Sequence, residues 1–170
     1  MKKFILSIVI VLAIITLNKD KIVIPKESIR LRVIANSNSE EDQNIKYKVK
    51  EDLENELFNI LSEADNIDEA RIKINQNLSS ITNTVNNTLI SNNYLEKFSI
   101  NYGLNYFPKK EYKSVLYNEG LYESVVVTLG EGNGDNWWCV LFPPFCLIEA
   151  ENSDKVEYTW KIKEIIDKYF

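Results

Sequence analysis

The sequence contains no histidine among its 170 residues. A Ser-His-Asp triad and a Cys-His pair both need an imidazole base, so these two routes to nucleophilic catalysis are excluded. No Ser-x-x-Lys motif occurs, which removes the commonest nucleophile motif that works without histidine. A zinc site is short of ligands for the same reason. The residue inventory therefore predicts a protein that is not an enzyme and that holds no metal and no cofactor.

Glycine is also scarce, yet three of the five glycines fall in the run GEGNGD at residues 130–135. The run lacks the Gly-Lys-Ser/Thr of a phosphate-binding loop, and it precedes a predicted strand instead of a helix. It is typical of a hairpin turn. Glu131 and Asp135 could form a glycosidase-type carboxylate pair, but an acidic surface supplies such pairs by chance.

Long basic runs are absent as well. The chain has 20 Lys and Arg residues against 25 Asp and Glu residues, which gives a formal net charge of −5. Nucleic-acid binding needs a positive patch, so the sequence predicts no nucleic-acid partner.

One long hydrophobic run stands near the N-terminus. Lys2 and Lys3 form a basic head, and the uncharged segment from Phe4 to Leu17 follows. This segment has the length of a signal-peptide core and is short for a membrane span. We therefore expect export, with residues 1–24 as a signal peptide or membrane anchor and residues 25–170 as the exported domain. No small-x-small cleavage site follows the run, which leaves both a released and a tethered protein open.

The remaining chain changes its hydrophobic period several times. Apolar residues alternate in Ser28–Ala35, recur at helical spacing in two long segments, and then alternate again. Arg30 and Arg32 alternate with the apolar residues, which predicts a half-exposed first strand. The order predicts an α+β fold, with two amphipathic helices packed on one face of a mostly antiparallel sheet and a C-terminal amphipathic helix. In β-α-α-β-β-β-α order the predicted elements are Ser28–Ala35, Glu40–Ser62, Asn66–Leu89, Phe98–Tyr106, Tyr122–Leu129, Asn136–Phe142 and Val156–Phe170, the last three strands as a possible meander.

Cys139 and Cys146 are the only cysteines. In an exported protein an even pair is a disulfide candidate, and the alternative is two packed thiols. An extended path between them would hold the Cα atoms beyond bridging distance, so a bond requires the chain to turn back. Pro143-Pro144 lies midway and is suited to that reversal.

Trp137 and Trp138 are adjacent in a predicted strand, so their side chains point to opposite faces of the sheet. If helices cover one face only, one tryptophan is buried and the other is exposed or lies under a loop. The alternative is that both belong to the core. An exposed tryptophan beside the two turns would be a rigid anchor for a protein partner.

Two segments, Ile29–Leu53 (IRLRVIANSNSEEDQNIKYKVKEDL) and Gly130–Cys146 (GEGNGDNWWCVLFPPFC), resemble the stage II sporulation protein R family of endospore-forming bacteria. The resemblance covers about residues 28–170. It implies a signalling protein without catalytic residues, made in the forespore and exported into the space between forespore and mother cell. There the family triggers a membrane-embedded aspartic protease of the mother cell, which processes the precursor of the early mother-cell sigma factor.

On this interpretation the partner is that protease, and the candidate contacts lie in the second segment. The competing hypothesis is a peptidoglycan-binding or peptidoglycan-hydrolysing module, in which a tryptophan stacks on sugar. A third is a membrane-anchored structural domain whose tryptophans are simply core. The candidate partner-binding residues are Glu131, Asn136, Trp137, Trp138, Pro143 and Pro144.

Overall fold

The computed structural model describes residues 22–112, 115–147 and 155–170, and its α+β class confirms the prediction. The strands and helices follow the predicted order, with three short strands added and the second helix divided into two. The elements are β1 (Ile22–Val23), β2 (Ile29–Ile34), α1 (Glu40–Leu61), α2 (Ile67–Gln76), α3 (Leu78–Ser91), β3 (Phe98–Phe107), β4 (Lys110–Tyr112), β5 (Val115–Tyr117), β6 (Gly120–Leu129), β7 (Asn136–Phe142), a 3-10 turn (Phe145–Leu147) and α4 (Lys155–Tyr169).

The predicted export segment, Phe4 to Leu17, lies outside the described residues. Within the described ranges, no helix combines the length and the apolar character that crossing a bilayer requires.

The main sheet has four strands in the order β3-β6-β2-β7. Strand β2 pairs antiparallel with β7 and parallel with β6, and β3 pairs antiparallel with β6. The predicted meander of the last three strands is therefore wrong, because β2 lies between β6 and β7. Leu31, fully buried at the centre of β2, lies opposite Val125 on one side and Cys139 on the other.

Helix α1 begins as predicted. The Ser39 side chain caps it by accepting a hydrogen bond from the Asp42 N–H at 3.2 Å, and acidic residues fill the first turn. Its apolar stripe packs on the main sheet. The stripe consists of Ile45, Val49, Leu53, Leu57 and Leu61.

The predicted second helix is two helices, α2 and α3, that meet at Asn77. Asn66 caps α2, and its side chain accepts from the Glu69 N–H at 3.0 Å. At the break, both the N–H and the side-chain amide of Asn77 donate to the carbonyl oxygen of Lys73, at 3.1 and 2.8 Å. An asparagine side chain that bonds to the preceding turn offers the backbone an alternative to a continued helix, and the apolar stripe does not reveal it.

A second layer covers the face of the main sheet opposite α1, α2 and α3. A small sheet in the order β1-β5-β4 packs there together with α4, around a separate hydrophobic cluster. This second cluster consists of Ile24, Val115, Tyr117, Val140, Phe145 and Ile162.

The second layer changes the environment of β2, which was predicted to be half-exposed. Arg30 is 0% exposed, with its guanidinium carbon 3.4 Å from the ring centroid of Tyr122 and 5.0 Å from that of Phe107. Burial lowers the pKa of Arg30. The half-exposed assignment is therefore wrong at Arg30, because the aromatic rings and the small sheet turn an apparent solvent face into an interior one, while Arg32 on the same face is half-buried.

Candidate functional site

The two sequence segments that resemble a known family meet in space. The loop after β2 (residues 35–38) packs against the turn between β6 and β7 (residues 130–135), a contact that we call the motif junction. Two N–H groups of the turn donate to two carbonyl oxygens of the loop, both at 2.9 Å. These bonds run from Gly134 to Ala35 and from Asn133 to Asn36.

Two asparagine side chains complete the motif junction. Oδ1 of Asn36 accepts from the Glu131 N–H at 2.9 Å. Oδ1 of Asn38 accepts from the Asp135 N–H at 2.6 Å. The glycine-rich turn is therefore held by backbone and amide groups, as a structural element of the fold.

The glycines of the turn are explained by this contact. Gly130 has a φ of 53°, where side chains are strained, and a Cβ added there would lie 2.2 Å from Oδ1 of Asn36. A Cβ at Gly134 would lie 2.2 Å from the carbonyl oxygen of Ser37. The motif junction therefore requires glycine at both positions, because the loop approaches too closely for a side chain.

Beneath the motif junction, Asp42 is 7% exposed and accepts several hydrogen bonds. Burial raises the pKa of Asp42, but hydrogen bonds from Ser37, Tyr94, Ser39 and Asn36 outweigh burial, so the pKa lies below its ordinary value. The charged carboxylate therefore ties the loop, the start of α1 and the segment after α3 together.

Lys46 is also buried under the junction, with 2% of its surface exposed. Its ammonium donates to Oε1 of Gln43 at 2.5 Å and to the Asp135 carbonyl oxygen at 3.2 Å. Burial lowers the pKa of Lys46, and Asp135 opposes this effect. The lysine thus links α1 to the glycine-rich turn.

The chain turns back after β7, as the Pro-Pro pair predicted. Cys139 and Cys146 form a disulfide with their Cα atoms 5.5 Å apart, which confirms the predicted bridge. The Phe142–Pro143 peptide bond is cis. We call residues 143–147 the hook. Cys146 packs against the first hydrophobic cluster and Phe145 belongs to the second, so the hook wraps around the end of β7.

The two tryptophans point to opposite faces, as strand geometry predicted, but both are half-buried. Trp137 packs against the first cluster, with the Lys50 ammonium 5.1 Å from its ring centroid. Trp138 packs against the second cluster, with its ring centroid 5.6 Å from that of Phe107 and 6.1 Å from that of Tyr117. The expected difference in exposure is absent because the second layer covers the face that was predicted to be open.

A groove runs between α1 and the hook. It has a cavity volume of about 190 Å³, and most of its walls are apolar. Phe58, which lies outside the buried stripe of α1, is 47% exposed at its rim. We call this feature the hook groove. Its lining residues are Glu54, Leu57, Phe58, Leu61, Ser62, Leu141, Phe142, Pro144, Cys146 and Tyr169.

Glu54 supplies the charge of the hook groove. Its carboxylate pairs with Lys50 at 2.8 Å and lies within 4.8 Å of the sulfur atoms of Cys139 and Cys146. Burial raises the pKa of Glu54, while Lys50 lowers it. Since the two sulfurs are bonded to each other, they are not thiolate ligands, and this group is unsuited to a metal ion. The groove can instead accept an apolar side chain beside one carboxylate.

The structure separates the predicted partner-binding residues. Pro144 lines the hook groove. Trp137 lies beside the groove, because the Lys50 ammonium lies over its ring and pairs with Glu54 of the groove lining. The other candidates lie elsewhere: Pro143 is buried, Trp138 lies under the second layer, and Glu131 and Asn136 are exposed at the motif junction and the start of β7.

Sequence reasoning missed the α1 wall of the groove. Phe58 is an apolar residue next to the stripe position Leu57, and this was the available signal. Nothing in the sequence brings Tyr169 to the same groove, because its contact with Phe142, at a centroid distance of 5.0 Å, depends on how α4 packs.

Comparison with known proteins gave two matches. A family model described as stage II sporulation protein R matches residues 25–152. Stage II sporulation protein R of Bacillus subtilis (strain 168) is 36% identical over 136 residues, which is 80% of this chain and 61% of that protein. The chain thus spans about three fifths of the length of this relative. No solved structure matches.

Proposed function

Because the chain belongs to the stage II sporulation protein R family, which assigns it a role in sporulation, we propose that it is an exported protein that activates a membrane-embedded protease. The protease is an aspartic protease of the mother cell. Its activation leads to processing of the precursor of the early mother-cell sigma factor.

The proposal includes export from the forespore into the intermembrane space. Residues 1–24 act as a signal peptide or membrane anchor, and residues 25–170 form the signalling domain. The family model begins at residue 25, which supports this boundary. The basic head followed by an apolar run is the order that export signals have.

The hook groove is the observation that supports a protein partner best. It is apolar, it carries the half-exposed Phe58 at its rim, and it includes part of the second resemblance segment through Pro144 and Cys146. A partially open apolar groove with an aromatic rim fits an apolar side chain of a partner. We therefore place the receptor contact at the groove and at Trp137 beside it.

Activation follows from differential binding. A ligand shifts its receptor between two states only by the difference in its affinity for them. The groove walls are packed into the first cluster through Leu57 and Phe142, so the ligand presents a preformed surface to the protease. A preformed surface retains more binding energy for that shift, since little is lost in ordering the ligand.

The peptidoglycan alternative receives less support from the geometry. Both tryptophans are half-buried against hydrophobic clusters, so neither ring stands fully open as a platform for sugar stacking. Glu131→Gln separates the two hypotheses, because it abolishes a hydrolase that uses this carboxylate and only modestly weakens a protein ligand.

The test is co-expression of the chain with the candidate protease and its sigma-factor precursor in a non-sporulating host. Processing is expected to require the chain and to disappear when Phe4–Leu17 is deleted. In the exported chain, Phe58→Asp is expected to reduce processing about 30-fold or more, the effect of losing an interface anchor of at least about 2 kcal/mol.

Ile72→Asp is the matched control, since Ile72 is 55% exposed on α2 and lies outside the groove lining. It should leave processing within about threefold. If the precursor stays uncut while all three proteins are folded and correctly placed, the signalling proposal is overturned. If Phe58→Asp and Ile72→Asp change processing to the same extent, the groove is not the receptor contact.

A further inference from the structure

The outer edge of β3 lacks the usual protection of an edge strand. β3 ends the main sheet, and within the described part of the chain no strand pairs with its outer side. Its ten residues, FSINYGLNYF, include no charged residue and no proline, and its register with β6 is continuous from Phe98 to Phe107. Natural edge strands usually carry a charge, a proline or a bulge that prevents pairing with another chain. β7, at the opposite side of the same sheet, carries the disulfide-bonded hook.

One hydrogen bond shows which backbone groups of β3 face outward. The Gly130 N–H donates to the carbonyl oxygen of Lys97 at 2.6 Å, one step beyond the Phe98–Leu129 pair. Bonded and non-bonded pairs alternate in an antiparallel ladder, so the odd-numbered residues of β3 bond to β6 and the even-numbered ones face outward. Arg32 Nη2 donates to the Tyr106 carbonyl oxygen at 2.6 Å, and a carbonyl oxygen can accept a second bond.

The even-numbered side chains form an apolar row along this edge. Phe98, Ile100 and Tyr102 pack partly against the first cluster. Farther along the strand, Leu104 is 71% exposed and Tyr106 is 56% exposed. The row therefore combines outward-facing backbone groups with apolar side chains that the described part of the chain covers only partly.

We propose that β3 pairs with β3 of a second copy of this chain, antiparallel about a two-fold axis at Tyr102. Such an axis keeps the helices of both copies on the same side of one continuous sheet. The outward-facing, even-numbered residues of one copy then lie opposite even-numbered residues of the other. Ile100 lies opposite the partner's Leu104, and Phe98 lies opposite the partner's Tyr106. The exposed side chains thus gain apolar neighbours.

The strand itself favours a second copy over a foreign strand. On the other face, the same register places Ser99 opposite Asn105 of the second copy and Asn101 opposite Gly103, so polar or small residues meet one another. The absence of charge in β3 means that no like charges meet at the pairing, although the whole chain carries a net charge of −5. One strand is therefore complementary to itself on both faces.

Two differently tagged full chains test the register, one with Asn101→Cys and one with Gly103→Cys. Asn101 and Gly103 form a non-bonded pair across the axis, with Cα atoms roughly 4.5 Å apart, which a disulfide tolerates. A Cβ at Gly103 meets nothing nearer than 3.8 Å, so cysteine fits there. Co-expression and export should give a reducible, mixed-tag dimer. Two tagged chains that both carry Asn101→Cys should give at least tenfold less.

Leu104→Lys and Leu121→Lys then separate the edge from general surface hydrophobicity. Leu121 is 59% exposed on the neighbouring strand β6 and has no place in the pairing. In the cysteine pair, Leu104→Lys should lower the mixed dimer at least tenfold, and Leu121→Lys should leave it within twofold.

The proposal is overturned if the mixed dimer is no more abundant than the control dimer, or if both lysine variants reduce it equally. It is also overturned if no mixed dimer forms while Leu104→Lys alone abolishes sigma-factor processing, since the edge would then pair with another protein. The first two outcomes do not depend on the receptor proposal, because cross-linking is read without the protease.

Discussion

Gly134→Ala tests whether the motif junction is a structural element. The alanine Cβ would lie 2.2 Å from the Ser37 carbonyl oxygen, 2.6 Å from the Ser37 carbonyl carbon and 2.9 Å from the Ala35 Cβ. Two of these atoms belong to the backbone, so no side-chain rotation relieves the clash. The loop and the turn must separate.

Separation removes four hydrogen bonds of the junction: those donated by the N–H groups of Gly134, Asn133, Glu131 and Asp135. Each contributes about 1 kcal/mol to stability. Alanine restricts the unfolded chain more than glycine does, which offsets about 0.4–1 kcal/mol of this lost stability. The free energy of unfolding should therefore fall by about 3 kcal/mol.

Gly103→Ala is the matched control. A Cβ at Gly103 meets nothing nearer than 3.8 Å, so the same change is expected to be neutral or to stabilise by up to about 1 kcal/mol. Urea unfolding followed by tryptophan fluorescence measures both variants. If the two midpoints agree within the equivalent of about 0.5 kcal/mol, the junction does not hold the turn as argued.

Two further predictions concern the hook and the buried carboxylate. Cys139→Ala with Cys146→Ala should lower the free energy of unfolding by about 2.5 kcal/mol, since the bridge closes a loop with a sequence separation of 7; equal urea midpoints with and without the bridge would contradict this. Asp42→Asn should cost about 1.5–3 kcal/mol at pH 7, because it removes a charged acceptor. The folded pKa of Asp42 is lowered, so its contribution is present above the unfolded pKa of about 3.9 and is lost as the pH falls through the folded value. The stability difference between the wild type and Asp42→Asn should therefore shrink below about pH 4, and a constant difference down to pH 3 would refute the assignment.

Local signals predicted the parts of the fold that depend on neighbouring residues. Ser39 and the acidic turn after it define the start of α1, and the prediction of its end, at Ser62, differs by one residue from the observed Leu61. Pro143-Pro144 located the chain reversal that allows the disulfide. These features are set within a few residues of sequence, where capping and turn chemistry act.

The features that could not be predicted depend on contacts between residues far apart in the sequence. The alternation at Arg30 indicates a solvent face unless one knows that Tyr122, 92 positions later, covers it. The hook groove likewise joins Phe58, Pro144 and Tyr169 from separate elements. No periodicity encodes such contacts, because they arise from packing between layers.

The positions of the two resemblance segments bear on how variants of this protein are to be interpreted. Gly134 and Asp42 are motif residues, yet their contacts hold the fold together and do not form a free surface. Their substitution should weaken signalling through loss of stability. Phe58 is half-exposed in the groove, so its substitution should abolish signalling in a folded protein. Loss of function alone therefore does not identify a receptor contact, whereas loss of function at unchanged stability does.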